Sequence, residues 1–387
     1  MAHLPQVKVP ATYMRGGTSK GVFFRLQDLP PAAQVPGAAR DALLLRVIGS
    51  PDPYGKQIDG MGGASSSTSK VVIVRPSARA GCAVEYRFGA VAIDRPVIDW
   101  SGNCGNLTTA VAPFALLHGL ASPVEGTTTV GLWQENIGKR VVAHVPVADG
   151  EPVESGDFVM DGVAFTGAEI LLEFMDPGGG EGAMLPTGQV SDELEVPGLG
   201  SIEATLVNAG NPTVFVAAEA LGLTARELQP QVNGDAALLE RCERIRAHAA
   251  VRMGLAASAD AATRDRPATP KLSFVAPPSP YTSSAGKAIE GERIDLLARI
   301  LSMGALHHAY TGTGAVALAV AAALPGSVVA RASRNGASSQ VRIGHTSGTF
   351  TVGAEVKRSG DRWEVTRALM SRSARRLMSG WVHVPGP

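Results

Sequence analysis

The chain has 387 residues, 45% of them hydrophobic, with 35 basic and 35 acidic side chains. That length supports two domains and a sizeable core, and the even charge balance offers neither a basic tract for nucleic acid nor an acidic tail. No apolar run is clean and long enough to span a membrane, and no basic-then-apolar leader opens the chain. Three widely spaced cysteines, Cys82, Cys104 and Cys242, form no CxxC or metal-ligand spacing, which points to a reducing, cytoplasmic compartment. The eight histidines make no metal motif, the adjacent pair His307-His308 being only a weak hint. Many glycines and prolines with few aromatics suit a β-rich chain with many turns.

In chain order, Val7 to Tyr13 alternates as a strand, Met14-Arg-Gly-Gly-Thr-Ser-Lys-Gly21 breaks it, and Val22-Phe-Phe24 resumes it. The break lacks P-loop spacing, so it is either a small anion-binding nest or a hairpin turn. Ala38 to Ile48 predicts a helix. The loop from Gly60 to Thr68 carries Ser65, Ser66 and Ser67, and Ser69 and Lys70 lead into the strand Val71–Val74. Lys70 is either a solvated lysine or a partly desolvated one with a lowered pKa, able to act as a general base.

The next stretch, Asp99-Trp-Ser-Gly-Asn-Cys-Gly-Asn-Leu107, turns a β-branched run into a run of helix formers. Cys104 therefore sits at a strand-to-helix turn, where free N–H groups and the helix dipole attract an anion and favour a thiolate. The alternative is a small buried thiol; the flanking Gly-Asn pairs favour a site. Thr128 to Val147 predicts paired strands with a turn at Asn136-Ile-Gly, and Asp157 to Phe174 alternates. Pro177-Gly-Gly-Gly-Glu-Gly182 is the strongest linker signal.

Strands are predicted at Ile202–Val207 and Thr213–Ala217, a helix at Ala236–Gly254, and a polar surface loop at Ala256–Thr269. Lys271 opens the strand to Ala276, and Ile294–Met303 is expected to be partly buried. Tyr310-Thr-Gly-Thr-Gly-Ala315 then starts a smooth apolar helix to Leu324, with Thr311 in the place that Cys104 holds in the first unit. Two such turn–helix units about 200 residues apart suggest a duplicated chain whose facing helix N-termini clamp a di- or tricarboxylate. The last strands fall near Gln340–Ile343, Thr349–Val356 and Trp363–Thr366, the final two joined by a turn at Gly360-Asp361.

Met14–Phe24, Asp59-Gly-Met-Gly-Gly63, Ser66–Lys70, Asp99–Leu107, Ser302-Met-Gly304 and Met370–Arg375 together resemble the PrpF family, within a diaminopimelate epimerase-like superfamily. The resemblance implies an α+β fold of two similar lobes, each a β-barrel-like sheet around a central helix. The first lobe would comprise 1–180 plus 372–387 and the second 181–371, with the last stretch pairing back into the first lobe. It implies a cofactor-independent isomerase of an unsaturated tricarboxylate, foremost 2-methylaconitate cis-trans isomerisation in propionate degradation, working beside an iron–sulfur methylcitrate dehydratase. A 4-oxalomesaconate tautomerase, a methylitaconate-type isomerase and a non-catalytic accessory protein are the alternatives. Lys70 and Cys104 would be catalytic, Cys104 either as a second proton carrier or only as a substrate contact, while Ser19, Ser69, Gly105, Asn106, Lys271, Ser302, Met303, Thr313 and Gly314 would bind substrate. No metal, nucleic acid or membrane is implied, and a homodimer fits the family. Thr311 replaces the second catalytic cysteine of the epimerases, which argues against two-thiol racemisation and for Lys70 as base.

Overall fold

A computed structural model describes residues 6–179, 182–360 and 362–385. The expected lobe boundary at 180/181, and Asp361 of the predicted turn, lie outside the described residues. Among those described, sixteen strands of five or more residues form one continuous sheet that builds two barrels. The first half supplies β1 (Gln6–Gly16), β2 (Ser19–Arg25), β3 (Lys70–Pro76), β4 (Val84–Val91), β5 (Gly126–Gln134), β6 (Lys139–Ala148) and β7 (Ile170–Met175). The second half supplies β8 (Asp192–Val196), β9 (Gly200–Ala209), β10 (Asn211–Ala217), β11 (Lys271–Ala276), β12 (Leu296–Ser302), β13 (Gln340–His345), β14 (Gly348–Ser359), β15 (Arg362–Arg372) and β16 (Ala374–Pro385).

The first barrel runs β16-β1-β2-β3-β4-β5-β6-β7. It is antiparallel except at β2·β3 and β4·β5. The second runs β8-β9-β10-β11-β12-β13-β14-β15, with parallel pairs at the same two places, β10·β11 and β12·β13. The halves therefore repeat one topology, joined where β7 pairs with β15. The chain's last strand returns to β1 over eleven registered pairs, from Gln6↔Pro385 to Gly16↔Ala374.

Helix α1 (Ala38–Ile48) lies outside the first barrel. Helix α2 (Gly105–Leu117) fills that barrel, and α5 (Gly312–Ala323) fills the second. Both central helices are apolar nearly all round and buried along almost their whole length, as a helix enclosed by sheet must be. Strand β3 shows how the layers are made. Val72 and Val74 join the interior around α2 and α5, while Val71 and Ile73 face the α1 layer. With both faces covered, the strand reads as a continuous apolar run rather than an alternation.

Three local expectations differ. Ala256–Thr269 is not a surface loop: Ser258 caps a short helix, α4 (Ala259–Asp265), after α3 (Ala236–Arg252), and Thr269 is fully buried. The β12 strand within Ile294–Met303 is buried at every position, because it has the barrel interior on one face and α3's layer on the other. Asp157–Phe174 is a strand only from Ile170; before it lies an isolated bridge, Phe158↔Gly167. No helix among the described residues is long and apolar enough to cross a membrane.

Candidate active site

The duplicated topology brings the two central helices together at their N-termini. A Cβ added to Gly105 would lie 2.8 Å from the Gly312 carbonyl carbon, and one on Gly312 would lie 2.6 Å from the Asn106 nitrogen. Only backbone fits there. Neither helix has an acidic residue in its first turn, so both positive dipole ends are left for something else.

Around this junction stand the side chains. Lys70 Nζ donates to Ser19 Oγ at 3.1 Å and to Cys104 Sγ at 3.2 Å. All three residues are more than nine-tenths buried. Cys104 is the N-cap of α2, its sulfur accepting the Leu107 N–H at 3.5 Å. Burial pushes the thiol up, but the Lys70 ammonium, the Leu107 N–H and the hydroxyl of Ser19 outweigh it, leaving the thiol below its ordinary range. The Gly17-Thr18 turn is indeed a hairpin, and it presents Ser19 to the lysine.

Lys271 opens β11 as Lys70 opens β3. Its Nζ donates to Ser302 Oγ and to the Ala268 carbonyl, each at 3.2 Å. Burial, reinforced by repulsion from Lys70, lowers its pKa to about 8. One lysine thus comes from each lobe, each held by a serine.

Several buried polar atoms here have no partner: Asn103 Nδ2, Asn211 Nδ2, His307 Nε2 and Thr311 Oγ1. Unpaired buried donors are costly unless a ligand satisfies them. Asn103 and Asn211 lie next to one another, the Asn103 N–H donating to Asn211 Oδ1 at 3.4 Å. His307 Nδ1 accepts the Ala309 N–H, so the proton sits on the unpaired Nε2. Burial, and the charges of His308, Lys70 and Lys271, hold its pKa well below the usual imidazole range. The ring is a neutral donor.

Most of the expected binding residues converge on this place, but not all by their side chains. Asn106 spends its amide on Thr18 Oγ1 and accepts from Arg372, so its side chain is already satisfied within the protein. Thr313 Oγ1 donates to the Asn103 carbonyl. Gly314 is packed against Ile300 and Thr311, so it too offers only backbone. Ser302 meets Lys271, and Met303 adopts a left-handed φ of 55° beside it. Ser69 is the exception. Its hydroxyl donates to Gln57 Oε1 at 2.7 Å and takes no part in the Lys70–Cys104 group; Ser67, two residues earlier, lines the cavities outside the lysine. Asn103, Asn211 and His307 were not foreseen from sequence. Aligning the halves could have found Asn211, since it starts β10 as Ser19 starts β2. Among the described residues, no cluster of three or more His, Cys, Asp or Glu is placed to hold a metal.

Comparison with known proteins fits this architecture. Residues 6–385 match the family model described as PrpF protein. The chain is 59% identical to the 2-methyl-aconitate isomerase of Shewanella oneidensis, covering 99% of this chain and 98% of that one. A solved methylitaconate-delta-isomerase superposes with a TM-score of 0.76 at 39% identity, over 98% of this chain and 96% of that one. A hydroxyproline epimerase from Agrobacterium vitis, at 14% identity and a TM-score of 0.56 over 98% and 94%, shares the two-lobed epimerase-like fold. The chain belongs to the PrpF family of isomerases.

Proposed function

We propose that this protein is a cis-trans isomerase of an unsaturated tricarboxylate, foremost 2-methylaconitate, and that Lys70 moves the allylic proton. The observation that carries the reading is the buried contact of Lys70 Nζ with Cys104 Sγ at the meeting point of two helix N-termini. The Shewanella oneidensis relative supports the choice of acid.

A C–H next to an alkene conjugated with a carboxylate is weakly acidic. Lys70, in its neutral form, takes that proton, and the electron pair spreads through the former double bond into the carboxylate. Charge developing on the carboxylate oxygens falls under the N–H groups of Gly105, Asn106 and Thr313 and beside the Lys271 ammonium, donors fixed before reaction. The central bond, now partly single, rotates. The same lysine returns the proton to the same carbon. Ser19 and Cys104 orient Lys70 Nζ and stay within hydrogen-bond reach of its ammonium during the lifetime of the intermediate.

The test is proton NMR of the protein with 2-methylaconitate in deuterated water. Geometric isomerisation, with deuterium entering the allylic methylene, is expected. Lys70→Ala should lose about 10³-fold or more in kcat with an unchanged melting temperature. Near-normal turnover by that variant would remove Lys70 as the base. No isomerisation by the wild type, with turnover of 4-oxalomesaconate instead, would convert the reading to an oxo-acid tautomerase.

A further inference from the structure

Two lysines face the helix junction, yet a tricarboxylate brings three negative charges. Outside the lysines, a cavity of about 380 Å³ opens between the lobes, lined among others by Ser67, Arg95, Asn233, Met303, His307 and His308. Three features make it a built anion site. His307 is 98% buried and has no partner for its Nε2–H. Arg95 has a buried Nε without a partner, and among the described residues no carboxylate lies within ion-pair distance of its guanidinium. Ser67 is 95% buried and lines the cavity with Ser65, their Oγ atoms 3.0 Å apart. An Arg fork with a neutral imidazole N–H and a hydroxyl is donor chemistry suited to a carboxylate.

We propose that this cavity takes the carboxylate that the helix N-termini and Lys271 do not hold, and that Arg95 is the residue that selects tricarboxylates over dicarboxylates. The proposal rests on the tricarboxylate reading above. The two carboxylates of the conjugated core lie at the helix N-termini and Lys271, with Lys70 facing the allylic CH2; the flexible CH2–COO⁻ arm extends past His307 to Arg95. A dicarboxylate with the same core fills the inner site and leaves Arg95 unpaired. Met303, with a left-handed φ of 55°, follows Ser302 of the inner site directly and lines this cavity.

The experiment is calorimetric titration of the purified full chain at pH 7 with trans-aconitate and with mesaconate, which has a methyl where trans-aconitate carries its one carboxymethyl arm. The wild type should prefer trans-aconitate. In Arg95→Gln, its Kd should rise about 30-fold, the loss of one charge-assisted carboxylate contact, while the Kd of mesaconate changes less than about threefold. Arg95→Lys should recover part of the preference, because charge remains but the fork is lost. Equal weakening of both acids, or a preference retained in Arg95→Gln, would overturn the proposal. A wild type that binds mesaconate as tightly as trans-aconitate would instead bring down the tricarboxylate reading, and that outcome involves no variant.

Discussion

Lys271 shows what the site costs the fold. A buried lysine with a pKa of about 8 is held below the ordinary 10.5 by burial first and by Lys70 second. At neutral pH it is charged in both the folded and unfolded chain, and the folded chain carries the penalty. Between pH 8 and 10.5 the folded protein has released this proton while the unfolded chain still holds it, so stability from this group rises with pH across that window. Lys271→Met should therefore be more stable than wild type at pH 7 by about 2–3 kcal/mol, less the two hydrogen bonds it loses, with the advantage fading toward pH 10. Urea unfolding at pH 7 and 9.5 measures both parts. The same variant should bind tricarboxylates at least tenfold more weakly, having lost a charge-assisted contact. By the same titration, wild-type kcat/KM should fall as pH rises through about 8, because the clamp loses its charge. Sequence made Lys70 and Cys104 visible through their turn and strand-mouth settings. Lys271 was reached only through the family resemblance, since its proximity to them is made by the pairing of strands remote in the chain and not by any local pattern.

Helices α2 and α5 were legible as elements because a glycine-bearing polar turn followed by ten or more apolar residues has few other solutions. Their meeting was expected from duplication; the closeness was not. Gly105 and Gly312 are needed for approach rather than for φ, as neither has a positive φ. Gly312→Ala should force the helix starts apart, costing about 1–3 kcal/mol by overpacking against backbone that cannot turn aside. Activity should suffer more than stability, because a shift of a few tenths of an ångström moves both N-terminal donor sets together. A thermal melt beside kcat/KM separates the two; kcat/KM within twofold of wild type would mean that the junction tolerates the shift. Elements misjudged from sequence were those whose context is tertiary. β12 is buried on both faces by layers remote in the chain, and α4 is short enough that its Ser258 cap was lost among polar neighbours.

At the scale of the molecule, two barrel-like halves share one sheet, and the outermost strand of the first is the chain's own end. Strand β16 pairs with β1 across its full length, and Val382 and Val384 complete the layer on which α1 lies. β1 in turn holds the hairpin that presents Ser19 to Lys70. The site near the start of the chain thus depends on residues more than 300 positions beyond Lys70, a dependence that no window of sequence contains. Ending the chain at Arg372 would expose the β1 edge, whose backbone N–H and C=O groups would have no partner strand, and uncover the apolar face around Val9 and Val22. The second half retains all of its strands, β8 to β15, and every pairing among them. The truncated chain should therefore lose isomerase activity altogether and aggregate through the opened first barrel, while limited proteolysis should still yield a protected fragment from the second half. A truncated chain that melts within a few degrees of full length with activity intact would show that β16 is an accessory and not the closing strand.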